Sequence, residues 1–333
     1  MKNVVRIGAV LLVLAVGAAS YVYNGLSHRP DINAYNAFKT FTKASRDSEL
    51  RTMFLGVSTL LFDDGETAIL TDGFFTRPTP RQVFLEKITP DKAIIQKNLR
   101  RAGITRLAAV IVNHSHYDHV MDSPEVAAQT GAMLIGSDST ANVGRGWGLA
   151  EDKIAVRHAG DVMNFGRFRI TLLPGGHVPS PFIGGEITEP LKPPVRANEY
   201  LEGGSFALLI EHRGRSMLVN ASAGFTPDAM RGRKADVVFL GIGQLGKRPA
   251  SYMAAYWQEM VEKPAARRVI AIHWDDFTRS LDEPLVPLPN LIDDFPASMK
   301  FLADRGQASG VDLKLPEAFV AFDPFEKLPA ARN

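Results

Sequence analysis

The chain has 333 residues, of which 45% are hydrophobic and 22% charged, and this is the composition of a globular protein rather than a disordered, collagenous or coiled-coil one. The 38 basic and 36 acidic residues leave a formal net charge of +2 without a basic stripe, which argues against a nucleic-acid partner. The sequence has no cysteine, which excludes disulfides and thiolate metal sites and leaves His, Asp and Glu as strong metal ligands.

The first element is an apolar segment at residues 7–23, preceded by the positive charges of Lys2 and Arg6. This order is typical of an export signal, and the small residues at 17–19 suit a signal peptidase. We expect residues 1–27 to be a signal peptide or an N-terminal membrane anchor attached through residues 7–23, and both interpretations stay open. Because the charges keep the N-terminus inside, the protein is predicted to lie outside the cytoplasm, in the periplasm or anchored in the inner membrane.

After a polar linker at 28–48, short apolar runs predict strands at 53–62, 67–70, 107–112, 133–135, 168–173, 206–210, 217–219, 237–240 and 269–272. Helical patterns occur at 90–102, at 124–130 with Ser123 as N-cap and Gly131 after the end, at 251–261 and at 296–305. The alternation predicts a layered α/β fold for one domain at 49–333, with a C-terminal extension from about 284. The irregular stretch at 178–204 is typical of a functional loop.

Four residues of metal-ligand type follow the buried run 107–112, in the sequence Asn-His-Ser-His-Tyr-Asp-His. Alternate residues of an extended segment point the same way, so His114 and His116 are expected to bind one ion together. The turn that follows is expected to present Asp118 and His119 to a second position nearby. Imidazole and carboxylate are the ligands that zinc accepts when no thiolate is available.

Two further histidines each follow the end of a predicted strand. His177 comes after 168–173 and a flexible Pro-Gly-Gly, and His273 comes directly after 269–272. Asp72 and Ser222 occupy matching positions after two other strands. Ligands in layered α/β proteins gather outside the carboxyl ends of the strands, so these residues are predicted to meet the cluster at one rim.

With these ordered motifs, the chain resembles the metallo-β-lactamase superfamily over about residues 50–280. The resemblance implies a four-layer αββα sandwich that holds two zinc ions at one edge of its two sheets. By the same resemblance the first zinc is held by His114, His116 and His177, and the second by Asp118, His119 and His273. Asp72 is then expected to brace the ligand loop from behind, since such hydrogen bonds orient ligating histidines.

One turn departs from the family pattern. Many hydrolases of the family carry a metal-bridging aspartate in a Gly-Asp-x-Gly turn, where residues 221–224 read Ala-Ser-Ala-Gly. Ser222 is a poor ligand, and the alternative alignment puts Asn220 there, which would bind no better. We therefore expect two zinc ions, the second bound less tightly.

The resemblance implies a hydrolase that uses a zinc-bound hydroxide on an ester, phosphodiester or lactone bond. Asp118 would be the catalytic residue, orienting the hydroxide and passing a proton to the leaving group. Di-iron relatives usually carry a glutamate inside the motif, where this chain has Ser115 and Tyr117, and this favours hydrolysis over redox chemistry. A β-lactamase and a non-catalytic zinc-binding protein remain as alternatives.

The substrate is expected to be a small molecule or lipid-like. The motif and residues 273–276 are most similar to a branch with lipid phosphodiesterases and with lactonases related to ascorbate-phosphate lactonase. Tyr117, Trp147 and Trp274, together with the loop at 178–204, are the residues expected to wall the substrate pocket.

Overall fold

Two seven-stranded sheets lie face to face at the centre of the computed structural model, which describes residues 2–39, 43–44, 49–179 and 184–329. The first sheet contains β1 (Arg51–Phe54), β2 (Leu60–Asp63), β3 (Ala68–Thr71), β4 (Ala109–Ile111), β5 (Met133–Gly136), β6 (Ile154–Val156) and β14 (Ala321–Phe322). The second contains β7 (Val162–Phe165), β8 (Phe168–Pro174), β9 (Phe206–His212), β10 (Arg215–Asn220), β11 (Val237–Gly241), β12 (Arg268–Ile272) and β13 (Asp312–Lys314). Their orders are β14-β1-β2-β3-β4-β5-β6 and β13-β12-β11-β10-β9-β8-β7.

The described residues also contain helices of four to 26 residues. They are α1 (Lys2–Ser27), α2 (Pro80–Leu85), α3 (Lys92–Arg101), α4 (Tyr117–Val120), α5 (Ser123–Thr130), α6 (Asp138–Trp147), α7 (Ala250–Trp257), which a π-helix continues over Gln258–Glu262, and α8 (Phe295–Ser309). Helices α5 and α6 pack on the first sheet, and the π-helix and α8 pack on the second. The predicted four-layer αββα sandwich is confirmed.

Several strands are apolar at every position because both of their faces are buried. Successive strand residues point to opposite sides, so Ile111 enters the core between the sheets while Val110 joins the core beneath the helices. Ile95 of α3 belongs to that second core. Between the sheets, the rings of Phe62 and Phe239 meet edge to face at 5.5 Å and connect the two layers.

Parallel pairing brings the carboxyl ends of the important strands to one rim. In the first sheet β3, β4 and β5 run parallel, and in the second β10, β11 and β12 do the same. Asp72 directly follows β3, and His273 directly follows β12. The rim is therefore where candidate residues distant in sequence meet.

Several element boundaries differ from those expected. The run at 53–62 is two strands, β1 and β2, because Gly56 and Val57 take positive φ values of 96° and 53° and reverse the chain. Ser123 is the first residue of α5 and not its N-cap, since its Oγ donates to the carbonyls of Asp72 and His119 instead. Gly131 ends that helix in the left-handed region, as predicted.

The sequence pattern missed the short elements. Strands β6, β7, β13 and β14 have two to four residues and mixed burial, so they carry too few apolar positions to show a period. Helices α2, α4 and α6 were also missed. Part of the C-terminal extension adds one edge strand to each sheet, because β13 pairs with β12 and β14 with β1.

The N-terminal segments are described in part. Helix α1 contains the apolar segment at residues 7–23. No helix in the described residues is both long and apolar enough to cross a membrane. Within the predicted linker, Ile32–Phe38 forms a 3₁₀ helix whose Tyr35 ring lies 4.9 Å from that of Phe295, while 40–42 and 45–48 lie outside the described residues. Residues 180–183 of the loop at 178–204 also lie outside them. The predicted signal or anchor and the location outside the cytoplasm stay predictions.

Candidate metal centre

His114, His116 and His177 form the first candidate ligand group, with one imidazole nitrogen of each within 4.8 Å of the others. His114 and His116 lie on the extended segment after β4, where alternation turns both rings to one side, as the sequence predicted. Two backbone hydrogen bonds join this segment to the second half of the chain, from the Ser115 amide to the Glu202 carbonyl and from the Phe206 amide to the Asn113 carbonyl.

Asp118, His119 and His273 form the second candidate group, within the same 4.8 Å limit. Asp118 and His119 belong to the helix α4, where a turn was expected. His273 has a φ of +53°, and its amide donates to the Val57 carbonyl at 2.6 Å, which holds the end of β12 against the β1–β2 turn. Oδ2 of Asp118 lies 3.3 Å from Nε2 of His273 and 3.6 Å from Nε2 of His119.

The two groups adjoin one another. The ring centroids of His114 and His119 are 3.8 Å apart, so one member of each group touches the other group. All six predicted ligands are thus brought together at the predicted rim. This is the arrangement needed for two neighbouring ions.

Asp72 supports both groups from behind. Its Oδ1 accepts from the Asn113 amide at 2.8 Å, and its Oδ2 accepts from His119 Nδ1 at 2.9 Å and from Ser58 Oγ at 2.5 Å. The carboxylate therefore fixes the start of the ligand segment and the tautomer of His119. His177 is oriented similarly, because its Nδ1 donates to the Val178 carbonyl at 2.7 Å.

The free nitrogens fit a metal site. Among the described residues, Nε2 of His114 and Nε2 of His119 are buried without a hydrogen-bond partner. A buried polar atom without a partner costs free energy unless something binds it. Five imidazoles and one carboxylate, with two rings already oriented through Nδ1, are the donor set that zinc accepts.

Electrostatics keep the first group ready to bind a cation. Burial, followed by the neighbouring imidazoles, holds the pKa of His114 well below its ordinary value. Burial and the nearby His116 lower the pKa of His177 to about 3. Both rings are therefore neutral at physiological pH, which is the form that binds metal.

The second group is more polar. Burial raises the pKa of Asp118, but the His119 ring and the hydrogen bond from His273 outweigh it and hold that pKa well below its usual range. Burial alone would lower the pKa of His119, whereas the carboxylates of Asp118 and Asp72 raise it. Asp118 is consequently an ionised carboxylate beside the histidines, able to bind a cation or accept a proton.

Comparison with known proteins identifies the family. The family model described as beta-lactamase superfamily domain matches residues 67–274, which is more than half of the chain. The chain belongs to the beta-lactamase superfamily. The matched region contains all six candidate ligands.

Relatives in the superfamily are distant. A UPF0173 metal-dependent hydrolase from Heliobacterium modesticaldum is 26% identical over 237 residues, which cover 68% of this chain and 84% of the relative. One from Carboxydothermus hydrogenoformans is 25% identical over 130 residues, 38% of this chain and 48% of that relative.

Two solved structures share the fold. Igni18, a metallo hydrolase from Ignicoccus hospitalis, has a TM-score of 0.52 at 17% identity and covers 82% of this chain and 98% of its own. YhfI from Bacillus subtilis, a metallo-beta-lactamase fold protein, has a TM-score of 0.50 at 13% identity and covers 83% and 100%. At these identities the likeness is one of fold.

The bridging position of the superfamily carries no carboxylate here. Ser222 lies outside both ligand groups, and its Oγ accepts from the Val178 amide at 3.0 Å, next to His177. Asn220 points into the turn instead, where its Nδ2 donates to the carbonyls of Ser222 and Gly224 at 2.7 and 3.0 Å. Both residues shape the rim without joining a ligand group.

A cavity of about 560 Å³ opens beside the two groups and is lined by His116, Asp118, His177 and His273. Tyr117 lines it as expected. Burial and then the Asp118 carboxylate raise the pKa of Tyr117 well above its ordinary value, so its hydroxyl stays protonated at neutral pH and can donate a hydrogen bond.

The other two aromatic residues expected in the pocket lie elsewhere, so those two expectations were wrong. Trp147 Nε1 donates to Glu125 Oε2 at 2.8 Å, away from the cavity. Trp274 is 2% exposed and packs in the core near Phe54 and Phe295. Trp274 directly follows His273 in sequence, but its side chain points into the core.

Sequence reasoning also missed residues that shape the site. Ser58 reaches Asp72 and His119 from a turn that no motif marks. The Val-Phe-Leu run that ends α2 lies beside the cavity through Val83 and Phe84. Its signal was present, because an apolar triplet directly after a Thr-Pro-x-Gln capping sequence predicts a short helix with an apolar face.

Proposed function

We propose that this chain is a zinc-dependent hydrolase that cleaves an ester, phosphodiester or lactone bond. One observation carries the proposal: two adjoining ligand groups, with buried imidazole nitrogens that lack partners among the described residues, open onto a cavity. The similarity to a metal-dependent hydrolase of Heliobacterium modesticaldum supports the proposal.

The proposed ligands divide into His114, His116 and His177 for one ion and Asp118, His119 and His273 for the other. When bound, zinc would supply Lewis acidity and lower the pKa of a bound water to near neutral. In the hydrolysis, the water oxygen forms a bond to the carbonyl carbon or the phosphorus. The bond to the leaving oxygen breaks, and that oxygen takes up a proton released from the water.

Asp118 is the residue placed to move this proton. Its carboxylate lines the cavity and stays ionised at neutral pH, so it can accept a hydrogen bond from the attacking water and is the group proposed to pass the proton to the leaving oxygen. Tyr117 also lines the cavity, and its protonated hydroxyl is proposed to donate a hydrogen bond to a substrate oxygen.

We propose that the second ion binds less tightly than the first. The second group has two imidazoles and one carboxylate, and neither Ser222 nor Asn220 belongs to a ligand group. The Ser222 hydroxyl accepts from the Val178 amide, and the Asn220 amide donates within the turn 220–224. A bridging carboxylate would otherwise be shared by both ions.

Two alternatives predict different outcomes. The serine at position 222 suits a β-lactamase, which would hydrolyse a β-lactam in preference to the other bonds. A non-catalytic zinc protein would have a closed four-ligand site. The cavity beside His116, Asp118 and His273 counts against that alternative.

The test is hydrolysis by the zinc-loaded full chain of p-nitrophenyl acetate, bis-p-nitrophenyl phosphate, a γ-lactone and a β-lactam. His116→Ala removes a proposed ligand, and His158→Ala is the matched control because His158 is exposed and lies outside both groups. We expect activity on one bond type that His116→Ala abolishes and His158→Ala retains. Zinc binding without hydrolysis of any of the four would reject the proposal in favour of a non-catalytic site.

We also propose that the hydrolase domain lies outside the cytoplasm. The support is Lys2 and Arg6 ahead of the apolar run at 7–23. Cell fractionation tests the location, and the intact mass of the isolated protein distinguishes a cleaved signal from a retained segment.

A further inference from the structure

The walls of the cavity beside the candidate ligands are mainly apolar. Three separate segments supply them: the end of α1, the helix α2, and residues 288–292. The apolar lining side chains from these segments are Leu26, Pro80, Val83, Phe84, Leu288, Pro289 and Ile292. Phe277 and Val178 continue this surface toward the ligand groups.

The described lining of the cavity offers no unpaired charge outside the candidate ligands. Among its described lining residues, only Arg29 and Asp276 carry other charges at neutral pH, and they pair with each other at 2.6 Å. Arg29 also donates to the Pro287 carbonyl at 2.9 Å. A substrate with a second anionic group would find no unpaired cation on these walls, whereas an uncharged apolar group would fit them.

Two exposed apolar side chains, Leu26 and Phe84, line this cavity, and the exposed Leu85 follows Phe84 directly. Phe84 and Leu85 are 73% and 70% exposed, and α2 has no buried residue although it ends in three apolar ones. Leu26, at the end of α1, is 45% exposed. The other large hydrophobic residues that are exposed in the described part of the chain are Ile94, Val162 and five residues of α1.

The end of α1 is held against the third segment. The Leu291 amide donates to the Gly25 carbonyl and the Asn290 amide to the His28 carbonyl, both at 3.0 Å. Leu26 of α1 and Phe84 of α2 line this cavity and are themselves exposed, so the apolar lining reaches the surface. Exposed apolar side chains that continue an apolar cavity are typical of a site that binds an apolar ligand.

We propose that the cavity binds the apolar chain of an amphiphilic substrate, whose hydrolysable head group lies at Asp118 and the ligand histidines. The proposal rests on the hydrolase function proposed above and names its substrate class. The chain lies along Val83 and Ile292, and its far end passes Phe84 and Leu26 at the mouth. Each methylene buried in such walls strengthens binding by up to about fourfold, until the cavity is filled.

Binding is measured first, because it does not depend on catalysis. Dansyl-undecanoate is titrated into the zinc-loaded full chain and displaced by butanoate, hexanoate and octanoate, which share one head group. We expect displacement to strengthen severalfold with each added pair of methylenes. Equal potency for the three competitors would overturn the proposal.

A pair of identical substitutions tests the location. Val83→Asn places an amide on the cavity wall, whereas Val162→Asn changes a valine of β7 that is 45% exposed and does not line the cavity. We expect Val83→Asn to weaken dansyl-undecanoate binding by about tenfold, since an amide buried against the chain loses its water. Val162→Asn should leave binding unchanged, and equal effects of the two variants would refute the assignment.

Activity separates this proposal from the hydrolase proposal. With p-nitrophenyl esters from acetate to decanoate, we expect kcat/KM to rise with chain length and the rise to be lost in Val83→Asn. Hydrolysis without chain-length dependence would reject the amphiphile and keep the hydrolase. Chain-length-dependent binding without hydrolysis of any bond in the panel would keep the apolar site and reject the hydrolase.

The same ester identifies the source of the substrate. The decanoate ester is offered as a monomer below its critical micelle concentration and, separately, in phosphatidylcholine vesicles. A higher rate on vesicles, reduced by Leu85→Ser, would assign a substrate taken from a lipid surface. A higher rate on monomers would assign a dissolved amphiphile.

Discussion

Replacing Asp275 by Asn should destabilise the fold strongly, because it breaks a fully buried ion pair. Asp275 Oδ2 accepts from Arg77 Nη1 at 2.7 Å, and its Oδ1 accepts from the Val57 amide at 2.8 Å. Both charged side chains have no solvent exposure. An asparagine has one acceptor oxygen and no charge, so it leaves the guanidinium of Arg77 buried without its counter-charge.

The expected loss is about 3–5 kcal/mol, the usual cost of removing one partner of a buried ion pair. Since folded domains are stable by roughly 5–15 kcal/mol, this is a large share of the free energy of unfolding. The single amide oxygen then has to serve both Arg77 and the Val57 amide, which loosens Val57, whose carbonyl accepts from the amide of His273. We therefore expect weaker binding of the second zinc in the same variant.

Urea unfolding of the zinc-free protein measures the loss without a contribution from metal binding. Asp282→Asn is the matched control, because Asp282 pairs with Lys97 at 2.7 Å but is about half exposed, so water replaces the lost contact. A second variant, Asp275→Asn with Arg77→Met, should recover part of the stability, since no unpaired buried charge remains. A loss no larger than that of Asp282→Asn would refute this reasoning.

Three further changes have defined outcomes. Asp72→Asn should weaken zinc binding by about 10–100-fold, measured by competition with a chelator, because the His119 ring loses its carboxylate partner. Gly243→Ala should weaken the second zinc by at least about tenfold in the same assay, because a Cβ there would lie 2.9 Å from the His273 carbonyl oxygen and 3.0 Å from its Nδ1. Asp64→Asn should lower the urea midpoint at pH 7, and the difference should shrink as the pH falls below about 4. Burial raises the pKa of Asp64, but hydrogen bonds from the Thr67 amide, the His212 ring and the Glu66 amide outweigh it, so the pKa is lowered. The ionised carboxylate therefore stabilises the fold at a pH above the ordinary pKa of an aspartate, and this stabilisation is lost on acidification.

Each of these has a contrasting result. Gly184→Ala is the control for Gly243→Ala, since no atom of the described residues lies within 4 Å of its Cβ position, and comparable zinc affinities for the two would contradict the steric argument. Unchanged zinc affinity in Asp72→Asn would contradict the proposed orientation of His119 by the carboxylate. The role of Asp72 would then be limited to its hydrogen bond with the Asn113 amide. For Asp64→Asn, a stability difference that grows on acidification would contradict the lowered pKa.

The ligand residues were predictable because their signals are local. A continuous apolar run predicts a doubly covered strand, alternation places His114 and His116 on one side, and strand-end positions single out Asp72, His177 and His273. The family resemblance supplied the division into two groups, and the structure brings both groups together as implied. None of this required knowledge of how distant segments pack.

The pocket residues were not predictable, because a sequence pattern does not define the direction of a side chain in an irregular segment. Trp274 follows His273 and points into the core, whereas Val83 lies far from the motif in sequence and lines the cavity. The edge strands β13 and β14 were missed for a related reason. Their pairing with β12 and β1 provides most of their order, and their own sequences are too short to show a period.

The sequence by itself determined the chemistry of the site and the layered class of the fold, because residue type and apolar periodicity are properties of consecutive residues. Only the tertiary structure decided that Ser58 and Asp72 orient His119. It also decided that Asp275 forms a buried ion pair with Arg77, and that α1, α2 and residues 288–292 line one apolar cavity. These contacts join residues far apart in the chain. They depend on how the two sheets and their covering helices pack together, which local periodicity does not encode.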